Sequence, residues 1–308
     1  MTMHHFAEVD GHRVFYREAG RRSDPTVVLL HGAPASSHMF RELIPLLADR
    51  YHVLAPDYLG FGLSDSPTTA QFPYNFDRLT DLVQGLFGQL GVTRHAIYVQ
   101  DYGAPIGWRL ALRSPERITA IITQNGNGYA DGFVAPFWEP LWAYAQNPSG
   151  QSEAPLRRAL TPDRIRWQYL HGVPHPATVS PDTWISDLQS LRRPGNVEVQ
   201  LRLFRDYPSN VELYLRLHAY LRRSQVPLLA VWGRNDEIFG PAGARAFTRD
   251  LPAAEVHLVD GGHFLLESHL ETVSGYVRDF LGRVLARHDP AALTPGDPCA
   301  AAANRAAP

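Results

Sequence analysis

The sequence predicts an α/β fold, in which a mostly parallel, twisted sheet is flanked by helices and carries an inserted helical lid, or cap. Two observations support this prediction. Short apolar segments alternate with amphipathic ones along most of the 308 residues, which is the pattern of units that build parallel sheets. Residues 125–224 interrupt the alternation with helix signals alone. We therefore assign 1–124 and 225–288 to the core, 125–224 to the lid and 289–308 to a disordered tail.

Eight segments have the composition of strands. The first two, at 6–9 and 13–18, are separated by Asp10 and Gly11, which predicts a hairpin. The other six follow a common rule, because each ends in a loop rich in Gly, Asp or Asn, where the active sites of parallel sheets lie. These six strands are predicted at 26–30, 52–55, 95–99, 118–123, 227–232 and 255–259.

Helices are predicted in both parts of the chain. In the lid, Thr161 and Ser180 each precede a proline, the order of an N-cap residue followed by proline at the first helical position. Two further lid helices are predicted at 197–204 and 211–223. The core helices are predicted at 37–47, 76–90, 106–113, 242–250 and 270–286.

Composition and charge are those of a globular enzyme. The formal net charge of -2 gives no indication of nucleic-acid or membrane binding. All 29 basic residues are Arg, which excludes a lysine Schiff base. The single cysteine, Cys299, cannot form an internal disulfide, and the N-terminus has no signal-peptide pattern. We expect a cytoplasmic monomer or homodimer that acts on an apolar small-molecule substrate and water, with no cofactor or metal.

The most informative segment follows the strand predicted at 95–99. Residues 100–103 are Gln-Asp-Tyr-Gly, and a helix is predicted after them. A strand, a tight turn and a helix with one reactive side chain at the apex form a nucleophile elbow, in which the apex residue is usually Ser. Here it is Asp101, whose ionised carboxylate needs no base and forms an ester that must then be hydrolysed. Asp101 therefore favours attack on an sp3 carbon, as in an epoxide or alkyl halide.

Two further residues complete a triad in the order nucleophile, acid, histidine. Asp236 follows the strand at 227–232, and His263 follows the strand at 255–259. Because the carboxyl ends of parallel strands meet at one edge of a sheet, we expect the three side chains to converge. His263 would activate the water that attacks the Asp101 ester, and Asp236 would orient and stabilise the imidazole.

Hydrolysis of the ester develops an oxyanion, which requires hydrogen-bond donors. The backbone N–H groups of Ala33 and Tyr102 are predicted to supply them, since Pro34 has no N–H. His31 is interpreted as a hydrogen-bonded anchor of its loop at the edge of the substrate pocket. Glu267 is predicted to be a helix cap or a surface residue.

Together these residues resemble the α/β-hydrolase superfamily, in the branch that holds haloalkane dehalogenases and soluble epoxide hydrolases. The resemblance extends from about residue 6 to residue 286 and is strongest in the core. The matching motifs are His-Gly-Ala-Pro at 31–34, the Asp and Gly residues of 57–65, Gln-Asp-Tyr-Gly at 100–103, Gly and Asp at 233–236, and Gly-Gly-His at 261–263.

The resemblance also implies how the leaving group is handled in each branch. Dehalogenases typically bind the halide with Trp directly after the nucleophile, and with Asn after His-Gly or a second Trp. This sequence has Tyr102 and Ala33 at those positions. Epoxide hydrolases protonate the ring oxygen with two lid tyrosines, and Tyr169 and Tyr214 lie in segments that resemble theirs. We therefore expect epoxides to be opened to vicinal diols.

Alternatives remain at this stage. If Tyr169 or Tyr214 is not the acid, Tyr207 and Tyr144 are the substitutes. The second hypothesis is a haloalkane or haloacid dehalogenase whose halide site uses Tyr102 with Trp184 or a lid tyrosine. A third, from another class, is a non-catalytic small-molecule receptor on the same scaffold. The residues predicted to line the substrate pocket are His31, Trp138, Tyr144, Trp184 and Tyr207.

Overall fold

The computed structural model describes residues 1–285, and within them one sheet of eight strands forms the centre of the molecule. The strands are β1 (Met3–Val9), β2 (His12–Ala19), β3 (Thr26–Leu30), β4 (His52–Pro56), β5 (His95–Gln100), β6 (Ile118–Gln124), β7 (Leu228–Gly233) and β8 (Glu255–Val259). Their order across the sheet is β1-β2-β4-β3-β5-β6-β7-β8. Strand β2 pairs antiparallel with β1 and β4, and the remaining pairs are parallel. The predicted fold class is confirmed.

The hairpin between β1 and β2 forms where the sequence predicts it. Asp10 and Gly11 both have positive φ, at 52° and 74°. Two such residues make the tight turn whose twist matches that of the flanking strands. Val9 consequently pairs with His12 in the ladder.

The central strands are mostly apolar because both faces of the sheet are covered. In β3, Val28 and Leu30 belong to one apolar cluster and Val27 and Leu29 to a second, and lid residues contribute to both clusters. All four are fully buried. This burial makes the sheet a rigid platform, and its carboxyl edge is where the loops carrying Asp101 and its partners emerge.

The core helices are α1 (Leu43–Leu47), α2 (Phe76–Leu90), α3 (Gly103–Arg113), α11 (Pro241–Ala246), α12 (Leu265–Ser268) and α13 (Leu270–Leu285). Between β6 and β7 lie the lid helices α4 (Ala135–Gln146), α5 (Gly150–Ala159), α6 (Pro162–Leu170), α7 (Asp182–Leu191), α8 (Asn196–Asp206), α9 (Pro208–Glu212) and α10 (Tyr214–Ser224). Among the described residues, no helix combines the length and apolar character needed to cross a membrane. The predicted tail at 289–308 lies outside the described residues.

Three predicted helices are interrupted in the structure. The helix predicted at 37–47 is a 3₁₀ turn, Ser37–Phe40, followed by α1. The Asp57 carboxylate accepts a hydrogen bond from the N–H of Ser37 at 2.7 Å and fixes the start of that turn. The helix predicted at 211–223 is divided between α9 and α10, and the one at 242–250 ends in a 3₁₀ turn, Phe247–Arg249. A contact distant in sequence, such as that of Asp57, overrides local helix propensity.

A buried arginine fastens the lid to the core. Arg109 of α3 is 3% exposed. Its guanidinium donates to Asp77 of α2 at 2.9 Å and to Asn210 of α9 at 2.6 Å. A second connection runs from the N–H of Phe76 to the Asp206 carboxylate at 2.8 Å. These charge-assisted bonds set the position of α8 and α9 relative to the sheet edge.

The prediction that Glu267 is a cap or a surface residue is wrong. Its side chain is 5% exposed and accepts two hydrogen bonds from the Arg41 guanidinium, at 2.9 and 2.8 Å. Arg41 is 226 residues away in the chain. No local pattern identifies such a partner, which tertiary packing alone brings to Glu267.

A buried carboxyl lies on the lid helix α7. Asp187 is 3% exposed and accepts a hydrogen bond from the hydroxyl of Tyr169. Burial, together with the nearby Glu267 and Asp57, raises the pKa of Asp187 to about 7. The hydrogen bond from Tyr169 and the charge of Arg41 act in the opposite direction. The folded protein therefore keeps this carboxyl protonated at pH values where the unfolded chain has ionised it.

Asp187→Asn is expected to raise Tm by several degrees at pH 8 and to have little effect near pH 4. Wild-type stability falls as pH rises from about 4, where the unfolded carboxyl ionises, to about 7, where the folded one does. Asn does not ionise, so the variant escapes this loss. Thermal unfolding at pH 4, 6 and 8 measures the effect, with the exposed Glu139→Gln on α4 as the control. A shift independent of pH would contradict this account.

Candidate active site

Asp101 lies at the apex of a tight turn. Strand β5 ends at Gln100 and α3 begins at Gly103. The backbone of Asp101 has a φ of 47°, in the left-handed region that residues with side chains rarely adopt. Gly103 permits the close approach of α3 to β3, because a Cβ there would lie 2.0 Å from the carbonyl oxygen of Leu30. This strained strand-turn-helix geometry is that of a nucleophile elbow.

The structure brings together the three residues predicted as a triad. The Nδ1–H of His263 donates to Oδ2 of Asp236 at 2.8 Å. The Nε2 of His263 lies 3.8 Å from Oδ2 of Asp101, beyond hydrogen-bond distance but close enough for a strong charge interaction. Asp101 and Asp236 are each 5% exposed and His263 is 3% exposed. A buried carboxylate and an oriented imidazole therefore face each other away from bulk water.

Burial and charge act in opposite directions on these groups. Burial raises the pKa of Asp101, while the His263 charge and the backbone N–H groups of Ala33 and Tyr102 limit the rise. Burial alone would lower the pKa of His263, but Asp236 and Asp101 more than offset it and hold the pKa above its ordinary value. The imidazole is therefore a stronger base than a free histidine, which suits the activation of water.

The two oxygens of the Asp101 carboxylate have different surroundings. Oδ1 accepts a hydrogen bond from the N–H of Ala33 at 2.8 Å, and the N–H of Tyr102 also stabilises the charge. Oδ2 is the oxygen nearest His263. Oδ1 thus already lies where an oxyanion would form, and Oδ2 is the atom available for attack.

Two buried amide residues in the site have no counterpart in the sequence prediction. The Nε2 of Gln100 is 2.9 Å from the Nε2 of His263, and since an amide nitrogen only donates, the imidazole nitrogen accepts. The side chain of Asn125 donates to Oδ2 of Asp236 at 2.6 Å and accepts from the N–H of Gly233 at 3.1 Å. One signal was available: amide residues follow the buried runs 95–99 and 118–123, with Gln100 directly after the first and Asn125 one residue beyond Gln124 after the second.

Above Asp101 a narrow apolar cavity opens beneath the lid. Its polar lining includes Tyr102 from the elbow, Gln168 from α6 and Gln200 from α8. The N–H of the Trp138 indole is already used, since it donates to the carbonyl of Ile238 at 2.7 Å. The apolar lining from the lid includes Phe137, Trp138, Leu141, Leu160, Ile165 and Phe204.

A second tyrosine lies close to the elbow. The ring of Tyr207, between α8 and α9, is 6.0 Å from the ring of Tyr102 and 4.5 Å from that of Trp138. Burial raises the pKa of Tyr207 well above its ordinary value, and the neighbouring Tyr214 and the Asp101 carboxylate raise it further. Burial and the Asp101 carboxylate also raise the pKa of Tyr102. The hydroxyl of Tyr102 has no hydrogen-bond partner within residues 1–285. Both phenols are therefore protonated in the neighbourhood of the Asp101 carboxylate.

The two lid tyrosines predicted as acids have other contacts. The ring of Tyr169 stacks on Phe264 with centroids 4.0 Å apart, and its hydroxyl donates to Asp187. The hydroxyl of Tyr214 accepts a weak hydrogen bond from Asn127 at 3.4 Å. Neither side chain is among those that line the cavity. Tyr207, the substitute predicted from the sequence, does not line the cavity either, but its ring packs against that of Tyr102 at the elbow.

The remaining predicted pocket residues fall into two groups. Trp138 lines the cavity, whereas Trp184 and Tyr144 do not. The ring of Trp184 packs 6.1 Å from that of Tyr169, and Tyr144 belongs to the apolar cluster of the lid. These two residues contribute to the packing of the lid, the role expected of most of its aromatic residues.

His31 anchors its loop, as the sequence analysis proposes. It is fully buried, its Nδ1–H donates to the carbonyl of Gly32 at 2.8 Å, and its Nε2 accepts from the N–H of Tyr58 at 3.2 Å. Burial lowers the pKa of His31 to about 4, so the ring is neutral at physiological pH. It is not among the residues that line the cavity, and it acts by holding the loop that carries Ala33.

Comparison with known proteins bears on the family and the fold of the chain. The model of the alpha/beta hydrolase fold family matches residues 25–270. An uncharacterized hydrolase of Saccharomyces cerevisiae is 43% identical over 270 residues, covering 86% of this chain and 92% of its own. A haloalkane dehalogenase of Bradyrhizobium diazoefficiens is 27% identical over 302 residues, covering 90% and 94%. The structure of the epoxide hydrolase CorEH superposes with a TM-score of 0.74 at 21% identity, over 92% of this chain and 99% of that one.

Proposed function

Because the chain belongs to the α/β-hydrolase family, we propose that this hydrolase opens epoxides to vicinal diols through an ester at Asp101. The observation that carries the proposal is the pair of buried phenols, Tyr102 and Tyr207, packed together beside the nucleophile. An epoxide oxygen needs such a proton donor, whereas a halide leaves without protonation. The indole N–H of Trp138 is bonded to Ile238 and is not free to bind a halide.

In the first half of the reaction, Oδ2 of Asp101 attacks one epoxide carbon and the ring C–O bond breaks. The ring oxygen takes a proton from the hydroxyl of Tyr207 while Tyr102 donates a hydrogen bond to it. The products of this half are a hydroxyalkyl ester on Asp101 and a tyrosinate. Attack through Oδ2 leaves Oδ1, the oxygen bonded to the N–H of Ala33, as the ester carbonyl oxygen.

In the second half, His263 Nε2 removes a proton from water and the hydroxide attacks the ester carbonyl carbon. The oxyanion forms on Oδ1, where the N–H groups of Ala33 and Tyr102 stabilise it. Asp236 stabilises the imidazolium through the 2.8 Å hydrogen bond to Nδ1. The bond between the carbonyl carbon and Oδ2 then breaks, and His263 returns its proton to the departing alkoxide. The remaining water proton passes to the tyrosinate and restores Tyr207.

The proposal is tested by incubating the protein with a panel of terminal epoxides and a matched panel of chloro- and bromoalkanes. We expect diol from the epoxides and no halide release. A single turnover in heavy-oxygen water, with enzyme in excess, should give unlabelled diol, because its new oxygen comes from Asp101. Halide release without diol formation would contradict the proposal, and label in the first-turnover product would contradict the ester.

Tyr207→Phe is expected to lower kcat for epoxides by about 10²- to 10³-fold, because it removes the proton donor to the ring oxygen. Tyr144→Phe removes the hydroxyl of another buried lid tyrosine, one whose ring does not contact Tyr102, so it is the matched control and should retain wild-type turnover. Steady-state diol formation measures both. Equal activity of the two variants would remove Tyr207 from the mechanism and leave Tyr102 as the acid to be tested next.

Haloalkane dehalogenation is the second candidate. It is favoured by the 27% identity to a protein named haloalkane dehalogenase and by the free hydroxyl of Tyr102, a donor that a halide can accept. The same two panels decide between the candidates.

A further inference from the structure

The carboxamide of Gln200 is a buried polar group at the wall of the cavity. Gln200 lies in the middle of α8, is 1% exposed and lines the cavity above Asp101 together with Phe204, one helical turn later. Within the described part of the chain, neither its Oε1 nor its Nε2 has a hydrogen-bond partner. Buried polar atoms in folded proteins are nearly always bonded, so this side chain requires an explanation.

Packing does not explain a glutamine at this position. Apart from Gln168, the other lid residues that line this cavity are apolar, among them Leu141 and Ile165. A leucine would fill a similar volume without two unsatisfied atoms, and removing such atoms is expected to stabilise a protein. A residue that lowers the stability of the fold and faces the cavity above Asp101 is typical of a ligand-binding position.

We propose that Gln200 binds a neutral hydrogen-bonding group of the substrate, a hydroxyl or an amide, while Asp101 attacks the electrophilic carbon. This inference rests on the proposed function for the electrophile and goes beyond it by naming a second substrate group. The carboxamide has a nitrogen that donates hydrogen bonds and an oxygen that accepts them. A hydroxyl or an amide can form a hydrogen bond with each. The preferred substrate is therefore a functionalised epoxide and not a plain hydrocarbon one.

The charge of the cavity explains why the group is neutral. No Arg or His side chain of the described residues lines it, and its one carboxylate is Asp101. A substrate carboxylate would be desolvated there, unpaired, beside the negative nucleophile. Epoxy acids and haloacids are accordingly expected to be rejected.

The test compares two epoxides of equal length, 1,2-epoxyhexane and its terminal alcohol, on the wild type and Gln200→Leu. We expect the ratio of kcat/KM for the alcohol to that for the hydrocarbon to fall by about tenfold or more in the variant. The Tm of Gln200→Leu should equal or exceed that of the wild type. Gln189→Leu, an exposed glutamine on α7, is the control and should leave the ratio unchanged.

An unchanged ratio in Gln200→Leu would overturn the inference. If that variant does not fold, Gln200→Met provides the same comparison. If the wild type opens neither epoxide, the proposed function fails by itself, and the ratio is then measured with 1-bromohexane and 6-bromohexan-1-ol. A wild-type enzyme that turns over the matching carboxylic acid as well as the alcohol would also contradict the inference.

Discussion

Replacing Asp101 by Asn is expected to abolish turnover, by about 10⁴-fold or more, while the protein stays folded. An amide oxygen is a poor nucleophile, and no other carboxylate lines the cavity within residues 1–285. Because burial raises the pKa of the Asp101 carboxyl, a neutral amide of the same shape should not destabilise the fold. Diol formation and thermal unfolding are the measurements.

Asp187→Asn is the matched control, since it neutralises another buried carboxyl that does not line the cavity. It should retain full turnover. A slow return of activity in Asp101→Asn on incubation, with conversion of the amide to an acid seen by mass spectrometry, would agree with the mechanism. Rapid turnover by a variant whose residue 101 is still Asn would contradict the mechanism.

The second large effect is expected from His263→Gln. This variant keeps the nucleophile and the phenols, so the first half of the reaction should proceed, but ester hydrolysis should slow by about 10²- to 10⁴-fold for want of a general base. The ester should therefore accumulate. Intact-protein mass spectrometry should show addition of the whole substrate mass for an epoxide, and of the alkyl group without halogen for a haloalkane.

Peptide mapping should place this adduct on Asp101. The double variant Asp101→Asn, His263→Gln is the control and should stay unmodified. If His263→Gln itself stays unmodified under conditions where the wild type turns over, the two-step scheme is contradicted. The mass of the adduct also distinguishes the two candidate substrates independently of steady-state rates.

The sheet and the elbow could be predicted because their signals are local. Apolar runs bounded by turn residues indicate buried strands, and the Asp10-Gly11 turn has its own backbone preference. The position of α3 was predicted with less precision, since the helix begins at Gly103 and not at residue 106. The glycine there is required by a carbonyl of β3, which is a contact between elements and not a property of the segment.

The lid could be predicted as a helical insertion, but the side chains that it turns towards the cavity could not. Its helices start near the predicted N-cap and proline signals at Thr161 and Ser180, and yet the acid predicted at Tyr169 instead bonds to Asp187. Which face of a lid helix points to the cavity depends on distant contacts, such as those of Arg109 with Asn210. Helical periodicity identifies an apolar face without identifying what covers it.

The sequence by itself determined the type of fold and the position of three residues at the sheet edge, because Asp101, Asp236 and His263 each lie in the loop just after the carboxyl end of a predicted strand. Tertiary structure alone decided which lid phenol lies beside the elbow and left the carboxamide of Gln200 without a hydrogen-bond partner among residues 1–285. The physical reason is that parallel strands converge by the geometry of the sheet, whereas the lid is positioned by side-chain contacts between residues far apart in the chain.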